Sequence, residues 1–173
     1  MIRFSSLFVL LIIVSCAPIY VNHDYEKGTD FSKYKTYNYY DNINTGLSDF
    51  DAKRLFSALD EALQTKGFQM STSPDFYIDI KSSERQSVKR NSVGVGVGGS
   101  GSHVGGGISV GIPIGQPNID RKIQFDFVDE NGVGLFWQAI SESTFKPNDD
   151  PESKEMTFKA IVDKVLKKFP PNQ

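Results

Sequence analysis

The chain begins with an apolar run that ends at its only cysteine, Cys16. Arg3 precedes the run, residues 4–14 are mostly apolar, and a small residue, Ser15, stands directly before the cysteine. A membrane-spanning helix needs about 20 apolar residues, and this run has only about a dozen. We therefore predict that residues 1–15 are a secretory signal peptide and not a membrane span.

The last residues of the run, from Ile13 to Cys16, resemble the lipobox of bacterial lipoproteins. In such proteins the cysteine sulfur receives a diacylglycerol, the leader is cut before the cysteine, and the new amino terminus is acylated. The resemblance implies cleavage between Ser15 and Cys16 and lipidation of Cys16, which would tether the domain to a membrane at roughly 0.8 kcal/mol per buried methylene. In the lipoproteins that this segment resembles, an Asp after the cysteine favours retention in the inner membrane. Because Ala17 stands at that position, we expect the protein to be anchored in the outer membrane, on its periplasmic face, with the cell surface as the alternative.

The size and charge of the remaining chain limit what it can be. About 158 residues are enough for one domain with an apolar core. A formal net charge of −2 supplies no basic field, so we expect no nucleic-acid partner. With its single cysteine committed to lipid, the mature chain would form no internal disulfide and no thiolate metal cluster. Its stability would have to come from packing, to which 13 Phe, 7 Tyr and one Trp contribute.

Apolar periodicity predicts two amphipathic helices. The first begins after Ser48, which can cap its free N–H groups, and ends at Gly67. The second begins at Asp150, followed by Pro151, and ends before Pro170. Apolar residues recur at helical spacing in both, namely Ala52, Leu55, Phe56, Leu59, Ala62 and Leu63 in the first and Phe158, Ile161, Val162, Val165, Leu166 and Phe169 in the second.

Strand patterns occupy most of the rest. We predict one strand from about Tyr34 to Tyr40, two between Phe68 and Val88, and a hairpin from Ile123 through a turn at 129–132 to Ile140, with Trp137 in the core. Residues 17–24 fit either a tether or the beginning of a strand. The order of elements favours an α+β fold, a mostly antiparallel sheet with two amphipathic helices packed on one face. We assign residues 16–29 to a lipidated amino terminus and tether and residues 30–173 to a single domain.

A glycine-rich insertion at about residues 91–115 interrupts this domain. Gly94, Gly96 and Gly99 match the spacing of a dinucleotide-binding loop, but no helix pattern follows, so a nucleotide site is not supported. Valine and isoleucine alternate with small residues on both sides of the tip at 100–107, which indicates an extended hairpin or a partly disordered loop. The alternative is a flap that contacts a membrane or an envelope protein, because glycine-rich strands can pair closely with another surface.

No catalytic, metal-binding or cofactor-binding residue can be assigned from the sequence. The two histidines, His23 and His103, lack a second ligand at metal-binding spacing. No nucleophile elbow, zinc-protease helix or phosphate-binding loop is present, and a cysteine nucleophile is excluded if Cys16 carries lipid. Asp126 and Asp129 could meet in space, although strand-face and turn roles explain both. We expect a protein that is not an enzyme and has no cofactor.

Three sequence blocks resemble the bacterial lipoprotein family known as domain of unknown function 4136. They are the segment 21–25 followed by DFSKYKTY at 30–37, VDENGVGLFWQA at 128–139, and the final KKFPP at 167–171. The resemblance spans nearly the whole mature chain. It implies a single-domain envelope lipoprotein, often with a glycine-rich insertion, and it implies no activity.

We predict a lipid-anchored cell-envelope protein that is not an enzyme and binds another envelope component through its sheet edge or its glycine-rich segment. A small-ligand-binding or hydrolytic periplasmic lipoprotein is the alternative, because a polar site could assemble from scattered Asp, Ser and Tyr residues. Self-assembly through the glycine-rich strands is a third hypothesis.

Overall fold

The structure, a computed structural model, describes residues 18–86 and 119–171. The glycine-rich segment, Ser15, Cys16 and His103 lie outside these residues, so the predictions made for them remain predictions. In chain order the elements are β1 (Tyr20–Tyr25), a 3-10 turn (Phe31–Lys33), β2 (Thr36–Tyr39), α1 (Asp49–Thr65), β3 (Gln69–Met70), β4 (Phe76–Gln86), β5 (Ile119–Asp129), β6 (Gly134–Phe145) and α2 (Pro151–Leu166).

The strands form a single six-stranded sheet in the order β1-β6-β5-β4-β2-β3. The neighbouring pairs β1–β6, β6–β5 and β5–β4 are antiparallel, whereas β2 runs parallel to both β4 and β3. The α+β class is confirmed, but the sheet is mixed and not mostly antiparallel. The chain leaves β2, passes through α1 and returns in β3 beside β2, and a helical crossover of this kind brings the chain back parallel.

Both predicted helices are present with their predicted caps. Ser48 Oγ accepts a hydrogen bond from the Asp51 N–H at 3.3 Å, and Asp150 Oδ1 accepts one from the Ser153 N–H at 2.9 Å. These bonds satisfy backbone donors that a first helical turn leaves free. Gly67 follows α1 with a φ of +90°, which side chains rarely adopt, so it ends the helix as predicted. In the described part of the chain, neither helix has the length and apolar character needed to cross a membrane.

The two helices pack on one face of the sheet and share a single core with it. Along β5 the side chains alternate, so that Phe125 and Phe127 are fully buried while Lys122 on the other face is exposed. Asp60 on α1 accepts hydrogen bonds from the hydroxyls of Tyr37 and Tyr39, both at 2.8 Å. These hydrogen bonds connect α1 to β2 through polar side chains.

A register shift in the central hairpin places two consecutive aromatic residues in the core. Phe127 pairs with Trp137, but Val128 pairs with Leu135, which leaves Phe136 without a partner on β5. Phe136 and Trp137 are both fully buried, because such a bulge turns two successive side chains of one strand toward the same face. The core position predicted for Trp137 is confirmed.

The strand boundaries differ from the predictions in three places. β2 covers only Thr36–Tyr39, because the residues before it form the 3-10 turn that Asp30 caps. Residues 20–25, which the sequence allowed as tether or strand, are strand β1 paired with β6. The hairpin is longer than predicted, with β5 and β6 running from Ile119 to Phe145, because the polar outer face of the added segments hid their alternation.

Candidate functional site

The two ends of the sheet differ in their chemistry. We call the end with the β5–β6 turn, residues 130–133, the hairpin end. The opposite end, where the chain leaves β4 at Gln86 and returns in β5 at Ile119, we call the insertion end. Gln86 and Ile119 are paired directly, so the segment 87–118 begins and ends there.

A buried carboxylate, that of Asp129, holds the hairpin end together. Its Oδ2 accepts hydrogen bonds from Lys33 Nζ at 2.9 Å and from the Tyr34 hydroxyl at 3.0 Å, and its Oδ1 accepts one from the Asn131 N–H at 3.1 Å. The carboxylate also approaches Gly132 closely, because a Cβ at that position would lie 2.8 Å from the Asp129 carboxyl carbon. This Asp129 clamp fixes the turn against the segment before β2.

Opposing effects set the pKa of Asp129. Burial raises it, whereas the hydrogen bonds from Lys33 and Tyr34 lower it, and the net pKa lies below the ordinary value of 3.8. The same hydrogen bond raises the pKa of Lys33 above 10.5. The ion pair is therefore fully charged near neutral pH.

We expect the Asp129 clamp to weaken in acid. Because the folded-state pKa is lowered, its contribution to stability is present well above the unfolded value of 3.8 and is lost as the pH falls through the lower folded value. The urea midpoint of the wild type should therefore fall more between about pH 5 and about pH 2.5 than that of Asp129→Asn, which carries no titrating carboxyl at this position. Parallel losses in the two proteins would show that Asp129 contributes nothing to the acid sensitivity.

The Asp129 clamp and the aromatic core beside it join three of the sequence segments that carry the family resemblance, at 30–37, 128–139 and 167–171. The ring of Tyr34, from the block at 30–37, stacks on that of Phe136, from the block at 128–139, with centroids 4.1 Å apart. Phe169 of the last block packs against Trp137 and Phe127, at centroid distances of 5.0 and 4.7 Å. These motifs are therefore explained by folding and do not by themselves mark a binding site.

A buried ion-pair cluster lies at the insertion end, on the side of the sheet that the helices cover. Arg121 Nη1 contacts Asp51 Oδ2 at 3.2 Å, and its Nη2 contacts Glu84 Oε1 at 2.6 Å. The guanidinium carbon lies 3.3 Å from the centroid of the Phe145 ring, which is a favourable cation–π geometry. Because two carboxylates neutralise Arg121, this arginine ties α1 to the sheet and does not offer a free anion-binding group.

A cavity of about 560 Å³ opens beside this cluster. Pro18 and Tyr20, at the start of β1, form part of its wall. Three cationic and three anionic side chains also line it, namely Arg85, Arg121, Lys122, Glu84, Asp120 and Glu142. Small-molecule sites are usually mostly apolar with a few convergent polar groups, and this charge-balanced lining differs from that pattern.

Strand β1 forms an open edge of the sheet, since in the described residues it pairs only with β6. The Glu26 N–H donates to the Phe136 carbonyl, so by the alternation of antiparallel pairing the backbone groups of Val21 and His23 point away from β6. The Tyr25 N–H also points away from β6, but it already donates a hydrogen bond to Asp24 Oδ1.

The two edges of the sheet are protected to different degrees. Edge strands are usually kept from pairing by charged side chains, above all Lys, by Pro, by a bulge or by a very short length. β3, the other edge, has only two residues, whereas the six residues of β1 contain neither Lys nor Pro and only a single charged residue, Asp24. Tyr20 at its start is 66% exposed. The outer edge of β1 is therefore suited to accept another strand, and it is our candidate functional site.

The structure separates the polar residues that the sequence singled out. His23 lies exposed on β1, opposite Ala139. Asp126 accepts hydrogen bonds from Gln124 and Gln138 on the open face of the sheet, whereas Asp129 is buried on the other face, so the two carboxylates do not meet. Across residues 18–86 and 119–171, no group of three or more His, Cys, Asp or Glu is placed to hold a metal ion.

Sequence reasoning missed both the ion-pair cluster and the β1 edge. Helical periodicity places Asp51 in the first turn of α1 but says nothing about its distant partner. One signal for Arg121 was present, because it continues the alternation of Ile123 and Phe125 onto the buried face. The edge position of β1 carries no local signal, since it depends on the order of all six strands.

Comparison with known proteins places the chain by fold. The model of a family described as a domain of unknown function, DUF4136, matches residues 21–171. No curated protein matches. Among solved structures, a PDZ domain protein from Parabacteroides distasonis aligns with a TM-score of 0.55 and 14% identity over 90% of this chain, which spans 37% of that protein.

A second similar structure is shorter. The PelC dodecamer from Paraburkholderia phytofirmans aligns with a TM-score of 0.53 and 12% identity, over 90% of this chain and 100% of that one. A point variant of PelC, also a dodecamer, gives the same values. Identities this low show a shared fold and nothing further.

Proposed function

The chain belongs to the family known as domain of unknown function 4136, and we propose that it is a lipid-anchored protein of the bacterial cell envelope that binds another envelope component at β1. The observation that carries this proposal is the open, unprotected edge of that strand. An extended peptide that adds to a sheet edge gains affinity from main-chain hydrogen bonds and specificity from alternate side chains. The protein acts as a binding module and not as an enzyme.

The proposed anchor follows from the sequence. Cleavage after Ser15 and acylation of Cys16 would attach the domain to the outer membrane, on its periplasmic face. A domain held in this way needs no membrane-spanning segment of its own. The partner would then be a protein within reach of the same membrane.

A proline at position 23 should block strand addition without unfolding the sheet. Because the His23 N–H points away from β6, His23→Pro removes no ladder hydrogen bond inside the sheet, yet it removes a donor and adds a bulky ring to the edge. We expect crosslinking of the full-length chain to its partner in native membranes to fall on the order of tenfold, since one lost hydrogen bond and a steric block exceed about 1.4 kcal/mol. Quantitative mass spectrometry of the crosslinked products measures this loss.

His23→Ala is the matched control, because it removes the imidazole and keeps the backbone donor. It should crosslink like the wild type, and the thermal unfolding of both variants should show that they fold. Equal loss in the two variants would assign the contact to the side chain. If His23→Pro crosslinks normally and deletion of residues 92–115 abolishes the product, the contact lies in the glycine-rich segment and not at β1.

A second copy of this chain is the other partner that β1 fits. PelC is a dodecamer, and self-assembly is therefore a second candidate function for a chain of the same fold. A crosslinked product whose mass is a multiple of the chain's own mass would select this candidate, and its loss in His23→Pro would still place the contact at β1.

A small-ligand-binding or hydrolytic role receives less support. It would require a mostly apolar pocket with convergent polar groups, whereas the cavity at the insertion end is lined by six charged side chains, four of which form the ion pairs Arg121–Glu84 and Lys122–Glu142.

A further inference from the structure

We infer that the insertion end of the sheet faces the phospholipid surface, so that the strands point away from the membrane and the hairpin end lies farthest from it. This inference rests on the proposed anchor at Cys16. It specifies which surface of the domain meets the lipid, the chemistry of that contact, and the direction in which β1 is presented.

The tether between the anchor and the fold is very short. Ile19 is a fixed point of the fold, because its side chain is buried and its carbonyl accepts a hydrogen bond from Lys164 Nζ at 3.0 Å. Only Ala17 and Pro18 separate it from Cys16 in the sequence. Since an extended chain spans at most about 3.6 Å per residue, the Cα atoms of Cys16 and Ile19 can be no more than about 11 Å apart.

The strand register places this fixed point at the insertion end. Tyr20, the next residue, pairs with Glu142, which pairs in turn with Lys122 of β5. Pro18 lines the same cavity as Asp120. The hairpin end begins near Asp129, seven residues beyond Lys122 and so about 23 Å away along β5 at about 3.3 Å per residue. A membrane within 11 Å or so of Ile19 therefore meets the insertion end first.

The exposed groups at the insertion end suit zwitterionic headgroups. Arg121 is buried and paired with Glu84, and the other four charged side chains that line the cavity are two cationic and two anionic, so they create no net attraction to anionic lipid. Tyr20 is 66% exposed at this end, and its amphipathic ring suits the headgroup layer. The open face of the sheet carries the charged side chains of Asp79, Lys81 and Asp126, so a domain lying flat on that face would bring these charges against the membrane.

The orientation can be measured on vesicles, because Cys16 is the only cysteine. The mature chain, residues 16–173, is coupled through Cys16 to a maleimide-headgroup lipid in phosphatidylcholine vesicles that also contain a nitroxide-headgroup lipid. Asp120 or Val133 is replaced by p-azidophenylalanine and labelled with a small fluorophore. We expect nitroxide quenching on the order of threefold stronger at position 120 than at 133, given about 30 Å between the two ends. Equal quenching, or stronger quenching at 133, overturns the inference.

Two further experiments test the short tether and the zwitterionic contact on which the inference is based. Inserting 20 Gly and Ser residues between Cys16 and Ala17 gives a flexible tether of roughly 25 Å, which should abolish the contrast. Adding phosphatidylglycerol should leave the quenching unchanged, and a rise would contradict the zwitterionic assignment. Chemical coupling tests the geometry whether or not cells acylate Cys16. The intact mass of the protein from native membranes tests the anchor separately, so a failure of the proposed function would be distinguishable.

Discussion

Replacing Phe76 with alanine is expected to lower the free energy of unfolding by about 3–5 kcal/mol, one of the largest losses that a single substitution can produce in this protein. Phe76 begins β4 and is fully buried. Its ring lies 5.2 Å from that of Phe127, 5.8 Å from that of Tyr34 and 6.2 Å from that of Phe169, measured between centroids. The truncation would therefore leave a cavity where β4, β5 and the segments at 30–37 and 167–171 meet.

The exposed Phe50 supplies a matched control for this change. It stands in the first turn of α1 and is 71% exposed, so Phe50→Ala should alter stability by no more than about 0.5 kcal/mol. Urea unfolding of the two variants and the wild type measures the difference. If Phe76→Ala proves too unstable to purify, Phe76→Leu should fold with a smaller loss. A loss below about 1 kcal/mol in Phe76→Ala would mean that this site can collapse around the cavity.

The helices could be predicted because their signals are local. Ser48 and Asp150 each cap a helix by bonding an N–H three residues later, and the apolar residues that follow repeat within a few turns. The hairpin was visible for the same reason, because its turn and its alternating strands are neighbours in sequence. Gly132, predicted as part of that turn, is also required by the approach of Asp129.

Most of the features that sequence reasoning missed depend on distant partners. Lys33 and Asp129 form an ion pair across 96 residues, and Arg121 reaches Asp51 across 70. The parallel pairing of β2 with β4 follows from the path through α1, and the register shift at Phe136 depends on how β6 meets β5. Local patterns therefore predicted the elements, whereas the edge strand proposed as the binding site emerged only from the assembled sheet.

The edge strand and the proposed orientation have a joint consequence. If the insertion end faces the membrane, β1 leaves the lipid surface at Tyr20 and extends toward Tyr25, and among the described residues no strand pairs with its outer edge. A partner strand could then approach from the side without displacing lipid. The short tether and the open edge are thus compatible with the envelope-binding role that we propose.

Removing the charge of Arg121 should destabilise the insertion end by about 3 kcal/mol, because breaking one member of a buried ion pair leaves the other charge without adequate compensation. The side chains of Arg121 and Asp51 are each only 5% exposed. In Arg121→Met the new side chain can still pack against Phe145, while Asp51 keeps a single cationic partner, Arg54, at 3.1 Å. The loss of stability in Arg121→Met therefore reflects the removed charge and not a change in side-chain volume.

The double variant Arg121→Met with Asp51→Leu shows whether such a loss of stability comes from the unpaired charge or from lost packing. Replacing both members of a buried pair with apolar residues is often nearly neutral, so the double variant should recover most of the stability that Arg121→Met loses. A thermodynamic cycle built from the urea unfolding of the two single variants, the double variant and the wild type gives the coupling energy. Additive losses would instead show that each residue acts through its own packing. Because Glu84 is 41% exposed and can be hydrated, its separation from Arg121 should add little to either outcome.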